Sequence, residues 1–362
     1  TLYQDASSIV FYAKGPKNWQ YMRGSNNRFD LSINHYSNYG YYFLTDGAGE
    51  KRRIKEEVMI EKVGKEMVTI NSYVAYDIRK KEELNYLQSS KGWFGDKFYQ
   101  GDSFLWSTQF SNPDSSRLAK AYISVAADAP LGSTVIATLR SGQDVLVDSI
   151  PIVLSSGHCM ARLGSSEFSW NPKSSNVSMS LKIEGTSSSD NATIDRIVYN
   201  VPCLLKYKGE TMFFRSPQAM DSSVVNKFIL EGVTPTVQIW NITNPTSMTK
   251  VPTEYEEGKL TFYRSSEILE EFVAVDINSI DYVNAEFVKE VPNQNLHSKS
   301  GYELVILSHP DFLSEANRLA DIHEEHDGVN VLVVTPEQIY NEYSSGTPDA
   351  TAVRLFMRQI YE

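Results

Sequence analysis

The chain changes its grammar once, near residue 300, and that change limits its fold more than any other feature. Leu304-Val305-Ile306-Leu307, led in by Tyr302-Glu303, is an unbroken apolar run. Such a run suits a strand buried on both faces of a parallel sheet. A helix is expected over 311–325, with Leu313, Ala316, Leu319, Ala320 and His323 on one side and Gly328 placed to end it. A second buried-type strand over 329–335 leads into PEQIYNEYSSG, which starts another helix. This β-α-β order is the opening of an α/β domain. In the closing stretch SSGTPDATAVRLFMRQIYE, Thr347 reads as an N-cap, Pro348 as the first helical residue and Asp349 as a first-turn acid. Ala350, Val353, Phe356, Met357 and Ile360 then form an apolar face that has to be covered. A single βαβ unit cannot complete a doubly covered sheet, so the chain reads as a fragment cut at both ends.

Everything before residue 300 reads as β. SSIVFYAKGPKNW is an apolar strand running into a Gly-Pro turn, and HYSNYGYYFLTDGAG pairs an aromatic strand with an Asp-Gly turn. KEMVTINSYVAYDIRKKEELNYL alternates like a strand and then offers a short polar helix. From about 102 to 210 come short alternating strands such as KAYISVAAD, SNVSMSLKIEG and ATIDRIVYNVPCLLKY, separated by Gly, Ser, Asn and Asp clusters. That spacing indicates a sandwich or jelly roll. KFILEGV, TVQIWNIT, KLTFYRS and EEFVAVDI continue the pattern. The expected fold class is mainly β, with antiparallel β-sandwich or jelly-roll modules, followed by the beginning of an α/β domain with a parallel sheet. The expected division is a β-rich N-terminal module over 1–100, a β-sandwich over 101–210, a β-rich connecting module over 211–297 and a truncated α/β domain over 298–362.

The net charge of -11 and pI near 5.2 leave no basic surplus for nucleic acid. Lys51-Arg52-Arg53 and Arg79-Lys80-Lys81 are each followed by glutamates and read as solvated, internally paired faces. No apolar run reaches the eighteen residues of a transmembrane helix, and no signal peptide is visible. The two cysteines, Cys159 and Cys203, allow one bridge or two separate buried thiols.

Candidate chemistry is sparse. His158-Cys159 is the one adjacent His/Cys pair, but neighbours on a strand point to opposite faces, away from a shared hydrogen bond. His323 and His326 are spaced i, i+3, whereas the zinc-protease pattern needs i, i+4. Ser308-His309-Pro310-Asp311 lies at the C-terminal end of the first parallel strand, the edge where open α/β sheets bind ligands; a plain strand-to-helix turn is the preferred reading. Asn176, Asn191 and Asn241 stand in glycosylation triplets.

The junction carries a family resemblance. Asn293-Gln294-Asn295-Leu296-His297, the strand-turn LVILSHPDF, the helix with Ala320 and His323, VLVVTPEQIYNE and the stretch from Ser344 to Ala352 resemble the opening of a gingipain-type cysteine peptidase domain. Within that family the likeness is to the type IX secretion sortases. IVFYAKGPKNW, NHYSNYGYYFLT, KGWFGDKF, QIWNIT and EEFVAVDI look like the β-rich part that precedes the peptidase domain there. The resemblance is strongest after 290 and weakest through 110–200.

It implies a cysteine endopeptidase at the extracellular face of a bacterial outer membrane. Such an enzyme removes C-terminal sorting domains from secreted cargo and passes the new carboxyl end to a lipopolysaccharide. Its partners would be that cargo and outer-membrane secretion components, with no nucleic acid, no metal and no cofactor. The family's catalytic His and Cys come from later in the peptidase domain, and no matching motif stands here. No catalytic residue is therefore assigned, and the chain alone is expected to be inactive. The alternative is a carbohydrate- or protein-binding β-sandwich of a cell-surface protein, with Trp93, Trp106, Trp170 and Trp240 as platforms.

Overall fold

The computed structural model describes residues 2–4, 9–24, 27–45, 53–60, 64–88, 92–129, 133–152, 161–276, 278 and 283–362. Two compact units are present. One comprises Thr1–Val10, Trp19–Leu31 and Arg52–Asp281; the other comprises Phe11–Asn18, Ser32–Lys51 and Tyr282–Glu362.

The first unit is all β and contains a sandwich of two antiparallel sheets. One sheet runs in the order Arg162–Trp170, Ala119–Asp128, Asn191–Leu204, Ser72–Arg79, with Gly95–Tyr99 also paired to the third strand. The other runs Asp144–Pro151, Thr134–Ser141, Asn176–Glu184, Phe104–Gln109. Period-two alternation builds the core between them. Thr134–Ser141 buries Val135, Ala137 and Leu139, and Asn176–Glu184 buries Val177, Met179, Leu181 and Ile183. Leu139 stands opposite Met179 on one side and Leu146 on the other. Each such side chain taken fully out of water stabilises the fold by about 1.5–3 kcal/mol. The polar helix expected after Ser72–Arg79 does not form. Lys80 is instead held by Asp195 (2.7 Å) and the Trp93 carbonyl (2.6 Å), and Leu84 bridges to Phe94. These pairings fix the backbone extended.

Two more sheets follow in the same unit. One is ordered Met212–Phe214, Phe272–Asp276, Val237–Asn241, Thr249–Lys250, Lys55–Glu56, and the other Glu254–Glu256, Lys259–Ser266, Asp221–Glu231, Met67–Ile70. Their core is aromatic: Phe228 stacks on Phe262 with centroids 4.7 Å apart, and Phe214 and Phe272 close the cluster. Arg215 and Glu271 form a buried ion pair at 2.9 Å. Trp19 Nε1 donates to the same carboxylate at 2.7 Å, and the guanidinium lies 4.7–5.1 Å from the rings of Tyr76, Trp19 and Phe29.

The second unit holds the expected βαβ element. Leu304–Leu307 pairs in parallel with Val331–Val334, Leu304 opposite Val331 and Leu307 opposite Val334. They are joined by a short 3-10 turn, Pro310–Phe312, and helix α1, Leu313–Asp327. Gly328 ends α1 in the left-handed conformation (φ 67°), which a Cβ would penalise. Helix α2, Pro336–Tyr343, opens with a full capping box between Thr335 and Gln338.

Helix α3, Ala350–Tyr361, starts later than the sequence suggests. Asp349, not Thr347, is the N-cap, accepting from Thr351 N at 2.8 Å. Thr347 is spent in the turn that closes α2, its N–H on Ser344 O and its carbonyl on Ser344 Oγ. The buried stripe then runs through Ala352 and Phe356 at i, i+4, with Ile360 partly buried one turn on, while Ala350 and Met357 face solvent. Leu296, Val334 and Ile339 complete the core under α3, with Tyr343 packed against it.

Candidate functional site

The C-terminal edge of the parallel pair is the place where an α/β sheet offers ligand chemistry. Here it is closed by backbone bonds. Ser308 is buried, its N–H donates to Val334 O at 3.0 Å, and its hydroxyl donates to His309 O at 3.1 Å rather than to an imidazole. It is not an activated nucleophile. His309 Nδ1 accepts from Asp311 N at 3.3 Å and caps the 3-10 turn. The edge therefore acts as the strand-to-helix turn preferred from the sequence.

Among the described residues of this unit, the most heavily bonded polar group lies on α2. One Glu342 oxygen accepts from Leu296 N (2.6 Å) and Gln294 Nε2 (2.8 Å). The other accepts from Leu296 N (2.8 Å) and His297 N (3.1 Å) and stands 2.7 Å from His297 Nδ1. Burial alone would raise this carboxyl, but the bonds from His297, Leu296 and Gln294 outweigh it and hold it down to about 2. The His297 ring stacks on Tyr343, centroids 4.6 Å apart and planes within 5°. From α3, Gln359 Nε2 reaches the carbonyls of Leu296, His297 and Lys299 at 3.0–3.3 Å, and its oxygen accepts from Tyr343 OH. Gln294 also donates to Gln338 O at 2.7 Å. The Asn293–His297 motif thus becomes a clamp that fixes the entry of the chain onto α2 and α3. It binds and orients polypeptide; it carries no nucleophile.

The remaining sequence candidates separate. His158 and Cys159 lie outside the described residues. Cys203 is a free thiol, fully buried in the sandwich core, and burial together with Asp114 pushes it up to about 12 despite Lys208. His323 pairs with Asp327 (2.6 Å) along α1, and no group of three or more metal-ligating side chains occurs among the described residues. Asn191 is buried between Tyr86 OH and Ser189 O, and Asn241 is bonded to Glu270 and Thr243; Asn176 alone of the three triplet asparagines is exposed. Trp170 and Trp240 are buried, and Trp106 stacks on buried Tyr199 at 4.8 Å. These three are packing residues, not platforms. Glu342 and Gln359 went unnoticed in the sequence. Their only local signal is a polar residue beside the apolar stripe of a helix, which most surface helices share.

Residues 297–362 match the family model Peptidase family C25. The crystal structure of dimeric latent PorU from Porphyromonas gingivalis matches 99% of the chain, at 25% identity and a TM-score of 0.85. The gingipain-type resemblance thus extends through the β units as well as the C25 segment, and the mainly β architecture with a parallel C-terminal pair is that of the PorU structure. This chain spans 34% of the length of that one. A structure of TmCBM61 in complex with β-1,4-galactotriose aligns with 35% of this chain and 86% of its own, at 12% identity and a TM-score of 0.25, too low to carry an argument. Comparison with the curated proteins gave no match. Of the clamp, His297, Glu342, Tyr343 and Gln359 fall within the matched residues, and Gln294 and Leu296 lie just before them. No helix among the described residues is long and apolar enough to cross a membrane.

Proposed function

We propose that this chain is the β-rich and early peptidase portion of a PorU-like cysteine endopeptidase. In this reading the intact protein cleaves C-terminal sorting domains from secreted cargo at the extracellular face of the outer membrane. It then transfers the cargo to a surface lipopolysaccharide. The observation that carries the reading is the PorU likeness over 99% of the chain, joined to the C25 match at 297–362. The thiolate and imidazole belong to polypeptide outside these 362 residues. Attack of that thiolate on the cargo carbonyl breaks the peptide bond, releasing the sorting domain as an amine protonated by the imidazole, and leaves an acyl-enzyme; a sugar amine or water, giving up its proton to the imidazole, then takes the acyl group and frees the thiolate. The βαβ unit with its clamp is a supporting layer beside the active-site half, and the β units scaffold or present cargo.

The test compares the intact protein with residues 1–362 alone on cargo carrying a sorting domain. The intact protein should cleave it and lose activity to a thiol alkylator, while 1–362 alone should be inert. Cleavage insensitive to alkylation, or an intact sequence without a Cys/His pair, would sink the proposal.

A further inference from the structure

The outer face of the second sandwich sheet carries a cleft of about 490 Å³, within the size range of small-molecule sites. The alternation that buries Leu139, Val177 and Met179 turns Arg140, Asn176 and Ser178 outward, and Ser107 and Gln109 stand exposed beside them. Register places Ser107, Ser178 and Arg140 in one row across three strands, with Asn176 opposite Gln109 in the next. The row spans about 10 Å, two strand spacings. Its rim is formed by turns that meet closely. Gly142 takes φ 61°, a Cβ there would lie 3.2 Å from Ser174 Cβ, and Ser174 Oγ accepts from Asn176 N at 3.1 Å.

The charge of the cleft runs against that of the chain. Asp and Glu outnumber Lys and Arg by 45 to 34, yet no carboxylate is among the described residues that line it. Its one charge, Arg140, has no ion pair or hydrogen bond from its side chain among the described residues, and neither have the side chains of Ser107, Gln109, Asn176 and Ser178. Amides and hydroxyls both donate and accept, as sugar hydroxyls do. A guanidinium only donates, and its fork fits a carboxylate or phosphate. The set therefore matches a polyhydroxylated ligand with one anionic group. No aromatic ring lines the cleft, so a nucleobase would have no stacking surface.

We propose that this cleft binds an acidic saccharide, its carboxylate or phosphate held by Arg140 and its hydroxyls by Ser107, Gln109, Asn176 and Ser178. Arg140 selects for charge, because its donors lose their acceptors when the ligand is neutral. The row of amides and hydroxyls orients the ring. The site lies wholly within the β unit, and this inference does not rest on the proposed peptidase activity.

Isothermal titration of the full chain tests it, with trigalacturonate, its methyl ester, glucose 6-phosphate, inorganic phosphate and tetraglutamate as probes. Trigalacturonate or glucose 6-phosphate should bind saturably, and the one that binds tells carboxylate from phosphate. The methyl ester keeps every sugar hydroxyl and should bind at least about tenfold more weakly than the acid, the loss of a charge-assisted pair. Arg140→Ala should weaken the acidic sugar by a similar factor, while Arg354→Ala, which removes the same charge from α3, should leave binding unchanged. Equal binding of acid and ester, or an Arg140→Ala protein that binds like the wild type, would overturn the inference. Inorganic phosphate or tetraglutamate binding as tightly as the acidic sugars would also overturn it, marking a plain anion or acidic-peptide site, as would no binding of either sugar.

Discussion

Glu342 grips His297 twice, by the ring at 2.7 Å and by the backbone N–H at 3.1 Å. The same carboxylate takes the Leu296 N–H, so one side chain on α2 fixes the path of the chain into the C25 segment. Glu342→Gln keeps the shape but removes the charge, and is expected to cost about 1–2 kcal/mol, since the group is only partly shielded from solvent. Hydrogen exchange at the Leu296 and His297 amides should speed up in the variant. Unchanged protection would show that the clamp is ornamental.

The same carboxylate predicts acid sensitivity with a definite sign. Its folded-state pKa is depressed from 4.5 to about 2, so its contribution is fully present above the unfolded value. That contribution is lost as pH falls through the window between them. Protection of the two amides should therefore drop on acidification in the wild type, and the drop should be smaller in Glu342→Gln.

Cys203 should behave as a core residue. Its thiol is buried and pushed up to about 12, so almost no thiolate exists near neutral pH. Iodoacetamide under native conditions should leave the Cys203 peptide unlabelled, and label it once urea is added. Rapid native labelling would contradict the packing described.

Arg215 and Glu271 are both buried, and Arg215 is also surrounded by Tyr76, Trp19 and Phe29. Removing one partner strands a charge, so Arg215→Ala should cost about 3–5 kcal/mol in urea unfolding. Replacing both with Met should recover much of that loss. If the double variant is as unstable as the single one, the aromatic cage rather than the ion pair holds the site.

How much of this was legible in the sequence depends on how far apart the partners are. The strand at 304–307 and the stop at Gly328 are local signals; the parallel pairing and the stop hold, while the strand expected to be buried on both faces is only partly buried, with Leu307 44% exposed. The N-cap of α3 lies two residues beyond the one expected, because Thr347 and Asp349 are both good caps. Only the turn that consumes Thr347 decides between them. The Glu342 clamp joins residues 45 apart in the chain, and a sequence pattern has no term for that. The tryptophans follow the commoner pattern of a β-sandwich: Trp170 and Trp240 turn inward, and the platform reading was only the alternative.

In the proposed reading this chain supports a cysteine endopeptidase whose nucleophile lies outside residues 1–362. The most direct measurement is mass-spectrometric mapping of an electrophilic peptide inhibitor that stops cargo cleavage by the intact protein. One modified cysteine is expected, outside residues 1–362, with Cys159 and Cys203 unmodified and activity lost in proportion to labelling. Inhibition that tracks labelling of Cys159 or Cys203 would contradict it.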